Sequence, residues 1–301
     1  MLTLVEDLSH PLSLAWALNS AAWLHYLRRE GPAAHERARA ALALCSEHGF
    51  VQLRAVGSIV WGWALAEQGQ AAEGIVQMRQ GLAAVRATGA EIGRPRALAM
   101  LAEAYGQVGQ VEEGLRLVAE ALTVVDSTGE RFDEAELHRL KGKLTLQQST
   151  VQSLKSKVTS TQHLTPSTQS QSTVHSPQST VPSPQHPAPS TQAEAEAEAC
   201  FLKAIEVARQ QSAKSLELRA VMSLSSLWQQ QGKKEEARQL LAEIYGWFTE
   251  GFDTVDLTEA RALLEELSER HEVKHRLTRQ LNPGSTSALL SSSVSPRART
   301  S

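Results

Sequence analysis

Gly62-Trp63-Ala64-Leu65-Ala66-Glu67-Gln68-Gly69-Gln70-Ala71-Ala72-Glu73-Gly74 and Ala102-Glu103-Ala104-Tyr105-Gly106-Gln107-Val108-Gly109-Gln110-Val111-Glu112-Glu113-Gly114 are two versions of one phrase. Gly69 matches Gly109 and Gly74 matches Gly114, each 40 positions on. Leu227-Trp228-Gln229-Gln230-Gln231-Gly232-Lys233-Lys234-Glu235-Glu236-Ala237 is a third copy. Trp23-Leu24-His25-Tyr26-Leu27-Arg28-Arg29-Glu30-Gly31 reads as a fourth, with two extra residues before Ala38. A phrase recurring at such a period marks stacked units that bury one shared core.

Each copy reads as helix, turn, helix. A helix ends cheaply when the residue after it is left-handed, and glycine enters that region without a Cβ penalty. Before the turn the apolar residues keep helical spacing: Leu98, Leu101, Tyr105 and Val108 in one copy, Leu218, Val221, Leu224 and Trp228 in another. After it come triplets spaced four and three apart: Ala38/Leu42/Cys45, Gly74/Met78/Gly81, Gly114/Val118/Ala121 and Ala237/Leu241/Ile244. Small outer members let paired helices approach, and the larger central one fills the gap.

This small–large–small pattern resembles the tetratricopeptide repeat. The period of 36 to 40 exceeds that family's 34, and its terminal proline is absent, so a long-helix variant fits better. The expected fold is all-α: a tetratricopeptide-like helical-hairpin solenoid with repeats over residues 1–148 and 193–254.

Between them, residues 149–192 contain no Asp or Glu and hold six of the chain's 11 prolines. Ser, Thr, Gln and Pro dominate, a composition that cannot bury enough apolar surface to offset its ordering entropy. A disordered insertion is expected. The next triplet, Ala197/Phe201/Ala204, lies 83 positions after Gly114 where one repeat predicts 40. The excess matches the low-complexity run, which places it in the turn between two helices of one repeat. Helices 132–148 and 193–211 are expected to pack regardless, because loop-closure cost grows slowly with length.

Tyr245-Gly246-Trp247-Phe248-Thr249-Glu250-Gly251-Phe252-Asp253-Thr254 follows the last repeat. Asp256 and Glu259 then stand at capping-box spacing ahead of a terminal helix, expected over 255–281 as the cap of the stack. A polar tail, 282–301, is expected to be disordered. The Tyr245–Thr254 run, with Ala135-Glu136-Leu137-His138-Arg139-Leu140-Lys141-Gly142 and Ser215-Leu216-Glu217-Leu218-Arg219-Ala220, is similar to the C-terminal repeat region of large bacterial signalling proteins. In those, an adenylate/guanylate cyclase or kinase domain precedes a STAND ATPase, and tetratricopeptide-like repeats close the chain. The resemblance spans about residues 8–270 apart from the insertion, and implies a sensor or scaffold arm acting on a cyclase/ATPase module. Neither of those modules is in this chain. Leu8-Ser9-His10-Pro11 reads as the end of a preceding second helix, so a detached part or a non-functional fragment of a larger protein is the alternative.

Composition narrows the function. A net charge of −3 gives no electrostatic reason to bind nucleic acid or anionic lipid. The N-terminal residues have no basic segment ahead of an apolar core, and no run of apolar residues is long enough to span a membrane. Cys45 and Cys200 form no CxxC pair, as expected for buried thiols in a cytoplasmic protein.

Catalytic motifs fare poorly. His271-Glu272-Val273-Lys274-His275 matches the zinc-protease pattern HExxH, in which two histidines one turn apart share a metal and the glutamate activates water. A zinc hydrolase working through His271, Glu272 and His275 needs a third ligand and a sheltered helix. Residues 273–301 contain no Asp or Glu, and Leu267-Ser268-Glu269-Arg270 is no apolar run. Gly142-Lys143 lacks the preceding strand and glycines of a phosphate loop. No catalytic residue, metal or cofactor is expected. What remains is the inner groove of the superhelix, which in this fold receives protein or peptide partners. Projected onto it are His25, Arg28, Trp63, Arg96, Glu103, Arg219, Ser226 and Gln230. A first helix with nothing stacked on it also predicts self-association.

Overall fold

A computed structural model describes residues 10–90, 93–162 and 189–281. Among these lie eleven α-helices and no strand: α1 (Pro11–Leu27), α2 (Gly31–His48), α3 (Val51–Glu67), α4 (Ala71–Ala87), α5 (Arg94–Gln107), α6 (Val111–Thr128), α7 (Glu134–Gln162), α8 (Pro189–Gln210), α9 (Lys214–Gln230), α10 (Lys234–Tyr245) and α11 (Val255–Leu281). The tail 282–301 lies outside the described residues. Of the expected insertion, residues 149–162 continue α7 and 189–192 begin α8; the stretch between them is not described.

The turns repeat one design. In the α3–α4 turn, the Gln70 amide donates to the Leu65 carbonyl and the Gly69 amide to that of Ala66. Tyr105, Gly106, Gly109 and Gln110 repeat both bonds one unit on, as do Trp228, Gln229, Gly232 and Lys233. This pair of hydrogen bonds satisfies carbonyls that every helix end leaves open, and it requires a left-handed residue at the corner. Gly69, Gly109 and Gly232 supply it with φ of 84°, 77° and 83°.

The first repeat departs from the sequence reading. Its left-handed residue is Arg29, φ 59°, and Gly31 is already the first residue of α2. Gly31 serves contact instead: a Cβ there would stand 3.0 Å from Glu67 Cβ. Counting from Arg29, no extra residues are needed. The small stripe facing α1 is Ala34, Ala38 and Ala41, all fully buried, while Leu42 of the expected triplet is only half-buried. The other triplets stand as read, with Met78, Val118, Phe201 and Leu241 buried at their centres.

Paired helices approach closely where glycine removes the Cβ. At Gly62 of α3, an added Cβ would lie 2.6 Å from the Gly74 carbonyl oxygen of α4 and 2.7 Å from Met78 Cγ. At Gly142 of α7 it would lie 2.6 Å from Phe201 Cε1 of α8 and 3.0 Å from the Ala197 carbonyl oxygen. Thus α7 and α8, on either side of the low-complexity run, form one hairpin.

Stacking follows one rule. Each first helix packs on the next first helix, α1 on α3, α3 on α5, α5 on α7, α7 on α9 and α9 on α11, while among the described residues the backbones of successive second helices stay farther apart. The first helices therefore form the inner, concave layer. A ladder of polar contacts about one repeat apart ties this layer together. The Gln107 amide donates to Glu67 at 3.3 Å, Lys143 Nζ to Glu103 at 3.4 Å, Arg96 Nε to Asp133 at 2.9 Å and Gln229 to Glu266 at 2.9 Å. The protein is a tetratricopeptide-like α-solenoid. No helix among the described residues is long and apolar enough to cross a membrane.

Candidate functional site: the inner cavity

Six first helices in parallel enclose a cavity of about 220 Å³. Equivalent helix positions supply its wall: Trp63, Glu103, Lys143, Ser226 and Leu263 at one level, Arg139, Met222 and Glu259 one turn earlier, with Tyr26, Arg29 and Glu67 at the end where the first helices finish. The wall carries four cations, Arg29, Arg139, Lys143 and Arg219, against four carboxylates, Glu67, Glu103, Glu136 and Glu259.

Most of these charges are spoken for. Arg139 grips Glu136 through two hydrogen bonds of 2.9 and 2.6 Å. Burial alone pushes the Glu136 carboxyl up, but Arg139, with Arg219 and Lys143 behind it, outweighs burial and holds it at about 2. Arg219 Nε donates to Asp256 at 2.8 Å. Glu67 differs: it accepts from the neutral Gln107 amide, and burial together with the nearby Glu103 raises its carboxyl. Tyr26 sits edge-on to both Trp23 and Trp63, at 5.6 and 4.9 Å between ring centroids. Burial, with Asp133 and Glu136 nearby, raises its hydroxyl, so it is a neutral donor at any working pH.

Of the eight residues projected onto the groove, the structure brings Trp63, Glu103, Arg219 and Ser226 to this cavity. The other four lie elsewhere. His25 and Arg28 both close on Glu30, at 2.5 and 2.6 Å, and brace the first turn; those two contacts hold the Glu30 carboxyl below the usual range. Arg28 also lines a neighbouring cavity of about 170 Å³ with Phe248 and Leu257. Arg96 is stacked over Phe132 at 4.5 Å and Trp23 at 5.3 Å while paired with Asp133. Gln230 is exposed at the end of α9.

Sequence reasoning missed Arg29, Glu67, Glu136, Arg139, Met222 and Glu259. The signal was present: stepping by one repeat from Arg219 reaches Glu136, and stepping from Met222 reaches Arg139 and Glu259. Arg29 gave none, since glycine is what the pattern leads one to look for.

For metal or nucleophilic chemistry the described residues offer little. No cluster of three His, Cys, Asp or Glu side chains stands at metal-binding separation among them. The side chains of His271, Glu272 and His275 lie outside the described residues, although the α11 backbone is helical there. Cys45 and Cys200 are free and buried, and burial raises both thiols, which leaves them poor nucleophiles.

No family model matches the chain. An uncharacterized protein of Rhizobium meliloti (strain 1021) is 27% identical over 141 residues, which is 47% of this chain and 14% of the relative. The chain thus spans a small part of that protein's length. Among solved structures, Pseudomonas aeruginosa pilF is 13% identical with a TM-score of 0.46, covering 91% of this chain and 95% of that one. A Podosopora anserina protein of nearly identical TPR-like repeats is 15% identical with a TM-score of 0.46, covering 79% and 95%.

Proposed function

We propose that this chain is a protein-interaction arm that holds a short peptide segment against its inner cavity, and that it performs no chemistry of its own. The observation that carries the reading is the wall itself. One repeated set of positions on six parallel helices turns mostly charged and hydroxyl side chains toward one shared space, with Trp63, Met222 and Leu263 as its apolar members. Core positions on the same helices are leucines at Leu98, Leu137, Leu218 and Leu224. Its size fits a few side chains of an extended segment and excludes a whole helix, about 10 Å across.

The finer reading is a regulatory arm of a cyclase/ATPase signalling protein, or a detached part of one. It rests on the resemblance carried by the Tyr245–Thr254 run. A relative matched over only 14% of its length supports it as an instance of such a segment within a far longer chain. The partner on that reading is a segment of the ATPase or cyclase module.

Peptide display against the purified chain tests the binding role. Selected peptides should lose binding to Ser226→Arg, which fills the cavity from a half-buried position, while circular dichroism and the melting temperature hold. Peptides that bind Ser226→Arg as well as the wild type place the binding surface elsewhere.

A further inference from the structure

We propose that Arg29 and Arg219 form a latch that closes the solenoid into a ring around the inner cavity, and that the ring opens at this seam. The first and last inner helices, α1 and α11, lie on either side of it. The helix α1 packs on α2 and α3, and α11 on α9 and α10; no helix-to-helix packing joins α1 to α9 or α11. Side chains alone cross the gap. Arg29 Nη1, from the turn after α1, donates to Asp256 Oδ1 at 3.1 Å and Glu259 Oε2 at 2.6 Å on α11. Arg219, from α9, donates through Nη2 to the Leu27 carbonyl at 2.6 Å and through Nε to Asp256 Oδ2 at 2.8 Å. Asp256 thus takes one arginine on each oxygen.

A second, independent observation marks Arg29. It holds the left-handed corner that Gly69, Gly109 and Gly232 hold in other repeats. An L side chain is strained in that conformation, and such strain persists where the side chain has a task. Glycine would make the turn without strain but could not reach α11. Arg29, Arg219 and Glu259 also line the inner cavity, so parting them removes one section of its wall and admits a segment sideways. A contact held by arginine hydrogen bonds to two carboxylates and one carbonyl, with Arg29 and Glu259 partly exposed, breaks far more readily than packed helices do. The latch does not depend on which partner enters.

Its test needs no partner. Spin labels go on exposed Ser20→Cys of α1 and Ala262→Cys of α11, in a chain carrying Cys45→Ala and Cys200→Ala, and the distance distribution is read by pulsed dipolar spectroscopy. The two latch variants are Arg29→Gly, whose turn conformation glycine adopts freely, and Glu259→Lys, which sets a like charge against Arg29. The latch predicts a narrow distribution for the parent and a longer, broader one for both variants, with helical content unchanged. Distributions for both variants that superimpose on the parent overturn it.

Discussion

Gly142 and Phe201 touch across the low-complexity run: the ring edge stands 2.6 Å from where a Gly142 Cβ would be. Phe201 is buried, and around it Ala197, Ala204, Val221 and Leu224 form the core of the C-terminal units. The other faces of α7, through Leu137, Leu140 and Leu144, belong to the core of the N-terminal units. One helix therefore joins two cores, and the array continues through a hairpin whose connection is far longer than a turn.

Removing residues 163–188 and rejoining with a short Gly/Ser linker should leave stability nearly unchanged. Loop closure changes by about 1 kcal/mol or less for such a shortening. Urea unfolding of the two forms checks this. A loss of several kcal/mol means that the run contributes packing.

Gly62→Ala should destabilise. Alanine gains about 1 kcal/mol over glycine in a helix interior. The added Cβ meets the Gly74 carbonyl and the Met78 backbone nitrogen at 2.6 and 2.9 Å, and backbone cannot swing aside. Overpacking costs about 1–3 kcal/mol and backbone contacts put this site at the upper end, so a net loss of up to about 2 kcal/mol is expected in denaturant titration. Gly106→Ala should lose less, because its contacts are the side-chain ends of Leu144 and Gln147.

Glu136 gives the fold an acid-sensitive component. Its folded value of about 2 lies below the ordinary 4.5, so its contribution is complete above pH 4.5 and is lost as pH falls toward 2. The size is on the order of 3 kcal/mol. Asp133 works the other way, since burial outweighs its Arg96 partner and raises its carboxyl. The stability gap between wild type and Glu136→Gln should therefore narrow between pH 5 and pH 2.5. A gap constant over that range contradicts the assignment.

Arg29→Gly should be close to neutral in stability while it opens the seam. Relief of the left-handed strain is worth about 1–2 kcal/mol, and the lost ion pairs are partly exposed, about 0–1 kcal/mol each. Calorimetry should place the variant within about 1 kcal/mol of the parent. A much larger loss means that Arg29 supports the fold and not only the closure.

Light scattering addresses the first helix. Leu12, Trp16 and Leu24 of α1 are exposed, Trp16 by 59%. The expected mass exceeds that of one chain, and Trp16→Glu lowers it. A wild-type monomer at high concentration removes the expectation.

Periodic features of the protein were legible in its sequence. The glycine corners, the small stripes and the Ala197/Phe201/Ala204 triplet each have a local physical cause, and together they placed the helical hairpins from α3 onward. Two things were not legible. The corner of the first repeat was misplaced because Gly31 looked like the turn residue, whereas its missing Cβ serves contact with Glu67. Of the cavity wall only Trp63, Glu103, Arg219 and Ser226 were found, because closure brings α11 and the α1 turn to the same space, and no local pattern reports that Arg29 reaches Asp256, 227 positions away.

A double-mutant cycle at Gly142 and Phe201 tests the continuous array most directly. Gly142→Ala alone should destabilise by steric conflict with the ring. Phe201→Leu should relieve that conflict, giving a coupling of more than about 1 kcal/mol, as contacting residues show. Strictly additive effects would mean that α7 and α8 do not pack, and that the repeats on either side of the low-complexity run are not one stack.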